Sequence, residues 1–275
     1  DVALLAAGLA RSRSHARRII EEGRARLDGR PATRPATAVP PGTELAVVDV
    51  PDGIEYASRA AHKLAGALDA LDLDPAGLHC LDAGASTGGF TDVLLRRGAA
   101  SVIAVDIGHD QLAAHVREDS RVTVRDGTSV RDLAPQLLGG RVDLVVADLS
   151  FISLRTVLPA LASVARPGGE LLLMVKPQFE VGRGALPKSG VVSDPADRVR
   201  AVREVAEAAA RAGLQTAAVG PSALPGQDGN REYFLHLRPH GTAFVLDAEA
   251  CDMIVSAVSG NRPRRRRDQH TSKED

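Results

Sequence analysis

An α/β protein with a doubly wound, mostly parallel sheet, preceded by a small α+β domain, is the fold class the sequence predicts. Three observations carry it. From Tyr56 onward, apolar runs alternate with segments of helical period, the pattern of strands joined by crossover helices. Runs such as Leu171–Val175 are apolar throughout, as strands covered by helices on both faces must be. Before Pro51-Asp52-Gly53 the elements are shorter and rich in turns, so a boundary falls there. The 275 residues suit two domains, at about 150 residues each. The division expected is a first domain at 1–53, a linker at 54–59, a larger domain at 60–260 and a basic, disordered tail at 261–275.

In the first domain, Ser12 and Ser14 are candidate N-caps for a helix over Ala16–Glu22, with Ala16, Ile19 and Ile20 as its apolar stripe and Gly23 as its stop. Arg24–Leu27 reads as a strand, Asp28-Gly29 as a hairpin turn, and Glu44–Val50 as a strand after the Pro40-Pro41-Gly42 turn. In the larger domain Ser58–Leu71 is helical through Ala61, Leu64, Ala65, Leu68 and Leu71. Strands are expected at Leu78–Asp82, Ser101–Asp106, Val122–Arg125, Val142–Ala147, Glu170–Val175, Leu214–Val219 and Arg231–Leu237. Helices are expected at Gly89–Arg97, Gln111–Arg117, Ser153–Ala165 and Asp194–Ala212, with a terminal helix at Ala248–Val258.

Composition excludes several classes. With 44 % hydrophobic and 25 % charged residues the chain is not a disordered one. No apolar run approaches the roughly 18 residues of a membrane span, and Val2–Ala7 lacks the length and basic lead of a secretory signal. Cys80 and Cys251 have no Cys or His at metal-ligand spacing, so neither a disulfide scaffold nor a metal site is expected, and a reducing cytoplasm is. The net charge is −1, but eight Arg between Arg11 and Arg34 face only Glu21, Glu22 and Asp28, and Arg262 with Arg264–Arg267 makes a second basic block. Of the 34 basic residues only Lys63, Lys176, Lys188 and Lys273 are Lys. Arg serves wherever charge suffices, so a retained Lys is a candidate for chemistry that Arg cannot do, such as losing a proton.

The segment from Cys80 to Asp92, C-L-D-A-G-A-S-T-G-G-F-T-D, is the most informative. A strand ends at Asp82, a loop of small residues follows, and a helix begins near Gly89; Gly84, Gly88 and Gly89 let a ligand approach the backbone. Ligands of doubly wound sheets sit beyond the carboxyl ends of strands, where strand order reverses. The G-x-x-x-G-G spacing differs from the G-x-G-x-x-G of dinucleotide binders, and an acidic strand end before small residues suits S-adenosylmethionine, with Asp82 meeting its ammonium through water. Asp106, after the next strand, suits the ribose hydroxyls, and Asp126, after the third, the adenine amino group; singly, each reads equally well as a helix cap. The cofactor site expected comprises Asp82, Gly84, Ala85, Ser86, Thr87, Gly88, Gly89, Phe90, Asp106, Ile107, Asp126, Gly127, Asp148 and Leu149.

Two later strands deliver charge to the same edge: Val142–Ala147 ends at Asp148, and Glu170–Val175 at Lys176. A lysine among buried strand ends is suited to act as a general base, and a salt bridge closing the sheet is the plainer reading, compatible with catalysis. Lys63, on the helix entering the domain, and Glu232, at the start of the last strand, join by position; His62 carries less weight.

The segments S-R-A-A-H-K-L (58–64), L-D-A-G-A-S-T-G-G-F-T (81–91), V-V-A-D-L-S-F-I-S (145–153), V-K-P-Q-F-E (175–180) and G-N-R-E-Y-F (229–234) together resemble the TlyA family, haemolysin-named S-adenosylmethionine-dependent rRNA 2′-O-methyltransferases. Where that family shows S-R-G before A-H-K, this chain has Ala60, a small change expected to be tolerated. The segment from Ala10 to Arg30 resembles the αL RNA-binding module of small-subunit ribosomal protein S-four. The resemblance implies a Rossmann-like class I methyltransferase fold and a catalytic tetrad of Lys63, Asp148, Lys176 and Glu232. It implies S-adenosylmethionine as cofactor, S-adenosylhomocysteine as product, no metal, and cytidines of 16S and/or 23S ribosomal RNA as substrates. These lie at the intersubunit bridge where capreomycin and viomycin bind, so methylation confers sensitivity to both drugs. Partners are then ribosomal RNA within ribosomal subunits, bound through Arg11, Arg13, Arg17, Arg18, Arg24, Arg26 and Arg30, by a monomer without membrane contact. Alternatives are a membrane-active haemolysin, an RNA-binding ribosome-assembly factor without catalysis, and base methylation. The last commonly uses an Asn/Asp-Pro-Pro-aromatic motif where this chain has Asp148-Leu149-Ser150-Phe151.

Overall fold

A computed structural model describes residues 1–10, 12–21, 23–48, 55–182 and 184–239. The expected terminal helix, the tail, Cys251, Arg11 and the Pro51-Asp52-Gly53 boundary lie outside the described residues.

The N-terminal unit consists of α1 (Val2–Ala6), α2 (Arg13–Glu21) and a three-stranded antiparallel sheet of β1 (Ala25–Leu27), β2 (Arg30–Pro31) and β3 (Leu45–Val47), in the order β2-β1-β3. Ser12 caps α2, its hydroxyl accepting the His15 N–H at 3.1 Å. Asp28 and Gly29 both adopt positive φ, 47° and 75°, as a type I′ hairpin requires. Ala16, Ile19 and Ile20 bury against Leu4 and Ala25. The single-turn α1 and two-residue β2 are not legible in the sequence, because neither is long enough to show a period.

The larger unit runs α3 (Ala60–Ala70), β4 (His79–Ala83), α4 (Gly89–Arg96), β5 (Ser101–Val105), α5 (Ala114–Arg117), β6 (Val122–Arg125), α6 (Pro135–Leu138), β7 (Val142–Ala147), α7 (Leu154–Val164), β8 (Ala165–Val175), α8 (Pro177–Glu180), α9 (Pro195–Arg211), β9 (Leu214–Pro221) and β10 (Tyr233–Pro239). Its seven-stranded sheet has the order β6-β5-β4-β7-β8-β10-β9; β6 to β8 are parallel, and β10 is antiparallel to both its neighbours. Alternation along β8 feeds two cores: Leu171 and Leu173 pack with α7 and α9, whereas Leu172 and Met174 face α3 and α4.

Several boundaries differ from expectation. α2 starts at Arg13 rather than Ala16, so Ser14 lies inside the helix instead of capping it, and α5 starts at Ala114 rather than Gln111. Two strands also begin elsewhere. β8 starts at Ala165 rather than Glu170: Val142 pairs with Ala165 and Leu144 with Glu170, so Arg166–Gly169 is a bulge within the strand. β10 starts at Tyr233, so Glu232 precedes the last strand instead of opening it. The segment entering the larger unit is fixed to α4. The Ala57 N–H donates to buried Asp92 at 2.8 Å, Arg96 donates to Asp92 at 2.7 Å and to the Glu55 carbonyl at 3.2 Å, and Arg18 of α2 pairs with the Glu55 carboxylate at 2.5 Å.

Sheet order reverses between β4 and β7, and Gly84 leaves β4 there with φ 86°. A Cβ at Gly84 would stand 2.8 Å from the Asp148 carbonyl oxygen and 2.9 Å from Leu149. Both the left-handed conformation and the clash penalise Gly84→Ala, which is expected to cost roughly 2–4 kcal/mol in denaturant unfolding. An unchanged midpoint would show that the two loops do not touch in this way.

Candidate active site

The carboxyl edge of the sheet gathers two lysine–carboxylate pairs. Lys63 lies in the first turn of α3, whose Ala61, Leu64 and Leu68 anchor the helix in the core; it is 6 % exposed, and its Nζ donates to Glu232 Oε2 at 2.5 Å. Glu232 is 4 % exposed. Because Tyr233 pairs with Val175, the antiparallel register carries Glu232 opposite Lys176, the residue that ends β8. Lys176 Nζ stands 2.6 Å from Asp148 Oδ1, an ion-pair contact rather than an aligned hydrogen bond, and it donates to Ser150 Oγ at 3.0 Å. Asp148 is held at the end of β7, where its N–H donates to the Ala83 carbonyl. All four expected tetrad residues therefore stand at one edge of the sheet, beside the β4 loop. His62 is buried, with its ring edge-on to Tyr56 at 5.1 Å, a packing role.

Two aromatic residues that the sequence reading passes over flank this edge. Phe151 is 92 % exposed with φ 62°, a conformation costly for a bulky side chain. Its ring lies 5.4 Å from that of Phe179, and Lys176 Nζ lies 5.8 Å from the centre of the Phe179 ring. The only early sign is the rarity of aromatic residues in this chain, which makes each Phe informative; exposure cannot be read from sequence.

The β4 loop is a tight cradle. The Gly88 N–H donates to the Ala85 carbonyl at 2.7 Å, Ser86 has φ 46°, and the Thr87 carbonyl accepts the Ala113 N–H. The glycines also allow close protein packing: a Cβ at Gly88 would strike Leu112, and one at Gly89 would meet Ser58 of the linker and the Ala61 backbone. The Phe90 ring is likewise turned into the core, stacked at 6.1 Å on Phe234, leaving only its backbone near the loop. Asp106 takes the Ser86 N–H at 2.9 Å and the Gly108 N–H at 2.7 Å. Asp126 is ion-paired to Arg117 at 2.8 Å and receives the Asp110 N–H, and that guanidinium holds its carboxyl below the usual range. Gly127 packs on His109, and Leu149 is buried against Gly84. Ile107, 72 % exposed, offers an apolar surface beside Asp106.

Asp82 is fully buried. Its Oδ2 accepts the Thr91 hydroxyl at 2.7 Å, whereas Oδ1 has no hydrogen-bond partner. Burial pushes its carboxyl up to about 7, against the pull of the Thr91 hydroxyl and with the added push of the Asp148 and Asp106 charges. An orphaned acceptor beside a glycine-rich cradle matches the ammonium of a bound amino acid moiety.

A model of the FtsJ-like methyltransferases matches residues 56–239, and one of the S4 domain matches residues 1–45. The 16S/23S rRNA (cytidine-2′-O)-methyltransferase TlyA of Mycobacterium tuberculosis is 54 % identical over 94 % of this chain and 96 % of its own. The chain belongs to the TlyA family of FtsJ-like methyltransferases. A further TlyA, the 23S rRNA (cytidine-2′-O)-methyltransferase of Campylobacter jejuni, is 34 % identical over 66 % of this chain and 70 % of its own. A haemolysin-named structure from Streptococcus thermophilus superposes with a TM-score of 0.75 at 32 % identity, covering 94 % of each chain.

The residues of the cradle fit S-adenosylmethionine: Asp82 would meet its ammonium, Asp106 its ribose and Ile107 its adenine face. Asp126 and Gly127 border the same end, although Arg117 and His109 already engage them. Because folding favours the neutral form of Asp82, its stabilising share is complete below the ordinary carboxyl range and lost as pH climbs through about 7. Asp82→Asn is therefore expected to match the parent in stability at acid pH and to exceed it by on the order of 1–4 kcal/mol above neutrality. The same variant should bind S-adenosylmethionine more weakly by calorimetry. A stability difference that does not grow with pH would refute the buried, neutral carboxyl.

Proposed function

We propose that this protein methylates the ribose 2′-hydroxyl of cytidines in ribosomal RNA, using S-adenosylmethionine. The observation that carries the reading is the Lys176–Asp148 pair beside the Lys63–Glu232 pair at the carboxyl edge of the sheet. The bound cofactor would supply an electrophilic methyl group on its sulfonium. Lys176 acts as its free amine, once its ammonium has released a proton to solvent. Nζ then takes the proton of the ribose hydroxyl, and Asp148 and Ser150 hold Nζ in position and stabilise the ammonium that is regenerated. Lys63, steadied by Glu232, offers positive charge to the adjoining phosphate. Phe151, projecting beside Lys176, provides a face on which the target base can stack. Holding the reacting groups together in this way can account for roughly 7–11 kcal/mol of the barrier.

The names of the relatives support 16S and 23S cytidines as the targets, and the family resemblance supports the intersubunit bridge, with capreomycin and viomycin sensitivity as the phenotype. The setting proposed is a cytoplasmic monomer acting on ribosomal subunits; no described helix is long and apolar enough to cross a membrane. A purified-protein lysis assay separates this reading from a membrane-active haemolysin. Reverse transcription of both rRNAs at limiting nucleotide, with resistance to alkaline hydrolysis at each stop, reports 2′-O-methyl groups; methyl groups on bases alone would overturn the reading. Lys176→Ala should lose methylation by at least about 10³-fold while still binding S-adenosylmethionine, and near-normal turnover would remove Lys176 from this role.

The N-terminal arginines are the proposed RNA contact. Arg13, Arg17 and Arg30 are exposed, the first two beside Asp1, while Arg24 and Arg26 donate to the backbone carbonyls of Val48 and Gly23. Arg18 is turned towards Glu55, so its part is to join the two units instead of touching RNA directly. With about four phosphate contacts, affinity for ribosomal subunits should fall roughly 10²-fold between about 50 and 200 mM salt in filter binding. A flat salt response would refute the electrostatic docking.

A further inference from the structure

The tetrad does not account for the buried carboxylate that ends the segment after Lys176. Glu180, the last residue of α8, is 2 % exposed, and both its oxygens reach a different element. Oε2 accepts the Ser153 hydroxyl at 2.5 Å and Oε1 the Leu154 N–H at 2.8 Å. Arg155 closes the arrangement, its Nε 3.3 Å from Oε2 and its Nη2 donating to the Glu180 carbonyl at 2.7 Å. Ser153 is the N-cap of α7, so the carboxylate lies against the positive end of an eleven-residue helix. Burial pushes the Glu180 carboxyl above its ordinary range while these donors pull it back, so the group is tolerable there only with its partners in place.

The clamp joins the two segments that carry the chemistry. Residues 148–153 bear Asp148, Ser150 and Phe151; residues 176–180 bear Lys176 and Phe179. The last ladder pair between β7 and β8 is Ala147 with Leu173, so beyond it the sheet no longer holds these segments together. The contacts of Lys176 with Asp148 and Ser150, and of Phe151 with Phe179, all cross that gap. A strained Phe151 persists only if its surroundings hold it.

We propose that Glu180 is a positioning residue for methyl transfer: by pinning Ser153 and Leu154 it sets Asp148, Ser150 and Phe151 against Lys176 and Phe179, without touching cofactor or substrate. The proposal rests on the reading of Lys176 as proton acceptor. It is tested on the full chain with ribosomal subunits as substrate, below the melting temperature of every variant. Glu180→Ala should lower kcat by roughly 10- to 100-fold, since displacements near 1 Å carry such losses, while S-adenosylhomocysteine binding by calorimetry stays at the wild-type value. Glu180→Gln can keep its oxygen on the Leu154 N–H and turn its amide to Ser153, so it should restore most of that rate. A role confined to stability would lower the melting temperature and leave kcat untouched. Glu180→Ala turning over at the wild-type rate, or Glu180→Gln as slow as the alanine variant, overturns the proposal. If Glu180→Ala does not fold, Ser153→Ala decides the matter: a lowered kcat with unchanged S-adenosylhomocysteine binding supports the clamp, and a wild-type kcat refutes it. Lys176→Ala runs beside these variants. If it stays active the base assignment fails on its own, and if it is dead while Glu180→Ala is normal, only the clamp falls.

Discussion

An ammonium withdrawn from water at the edge of a β-sheet persists as a charge only if a carboxylate meets it, and this fold brings one to buried Lys63 and one to half-buried Lys176. Asp148 reaches Lys176 because β7 and β8 are parallel neighbours whose carboxyl ends lie at the same edge of the sheet. Glu232 reaches Lys63 because β10 returns antiparallel between β8 and β9, bringing the chain back to the edge it left 169 residues earlier. Desolvation makes each pair costly unless its geometry is good, so the pairs are weak evidence for stability and better evidence that something else keeps them. On the proposed mechanism, a site that takes up a proton beside an electrophile supplies that reason.

The same edge shows where stability yields to chemistry. Asp82 has one oxygen satisfied by Thr91 and one left over, although burial pushes its carboxyl up to about 7. The structure would be quieter with an amide there. Phe151 is held in a left-handed conformation with its ring in solvent, and packing against Phe179 compensates only in part. Both departures lie within a few residues of strand ends that face the cradle, as expected where the surroundings are shaped for a ligand.

Most of the fold was legible because its signals are local and repeated: apolar runs for strands covered on both faces, helical periods between them, and a glycine-rich loop after the first strand of the larger unit. What escaped was short or tertiary. The Arg166–Gly169 bulge contains Pro167 and Gly168, which break the apolar run, and only the pairing of Ala165 with Val142 shows that the strand passes through it. α6 and α8 are single turns with no period to detect. In the site, Asp148 and Lys176 could be picked out as charges ending apolar strands. Lys63 and Glu232 became compelling through family resemblance, since nothing local joins residues so far apart. The close approach of Asp148, Leu112 and Ser58 to the three glycines is tertiary and has no local signal.

The bias between the two basic residue types ties the domains together. Of 34 basic residues only four are lysines; Lys63 and Lys176 are in the two ion pairs, Lys188 is exposed, and Lys273 lies outside the described residues. Arginine keeps its charge under any condition the protein meets, which suits a surface that only has to attract phosphate. The N-terminal unit accordingly carries arginine alone. A site that accepts a proton needs a group able to exist without one, and a guanidinium cannot. Lysine at residue 176 therefore carries more information in this chain than it would in one with ordinary usage. Arginine there would retain the salt bridge with Asp148 and lose the proton acceptor, so the retained ammonium argues for chemistry over mere closure of the sheet.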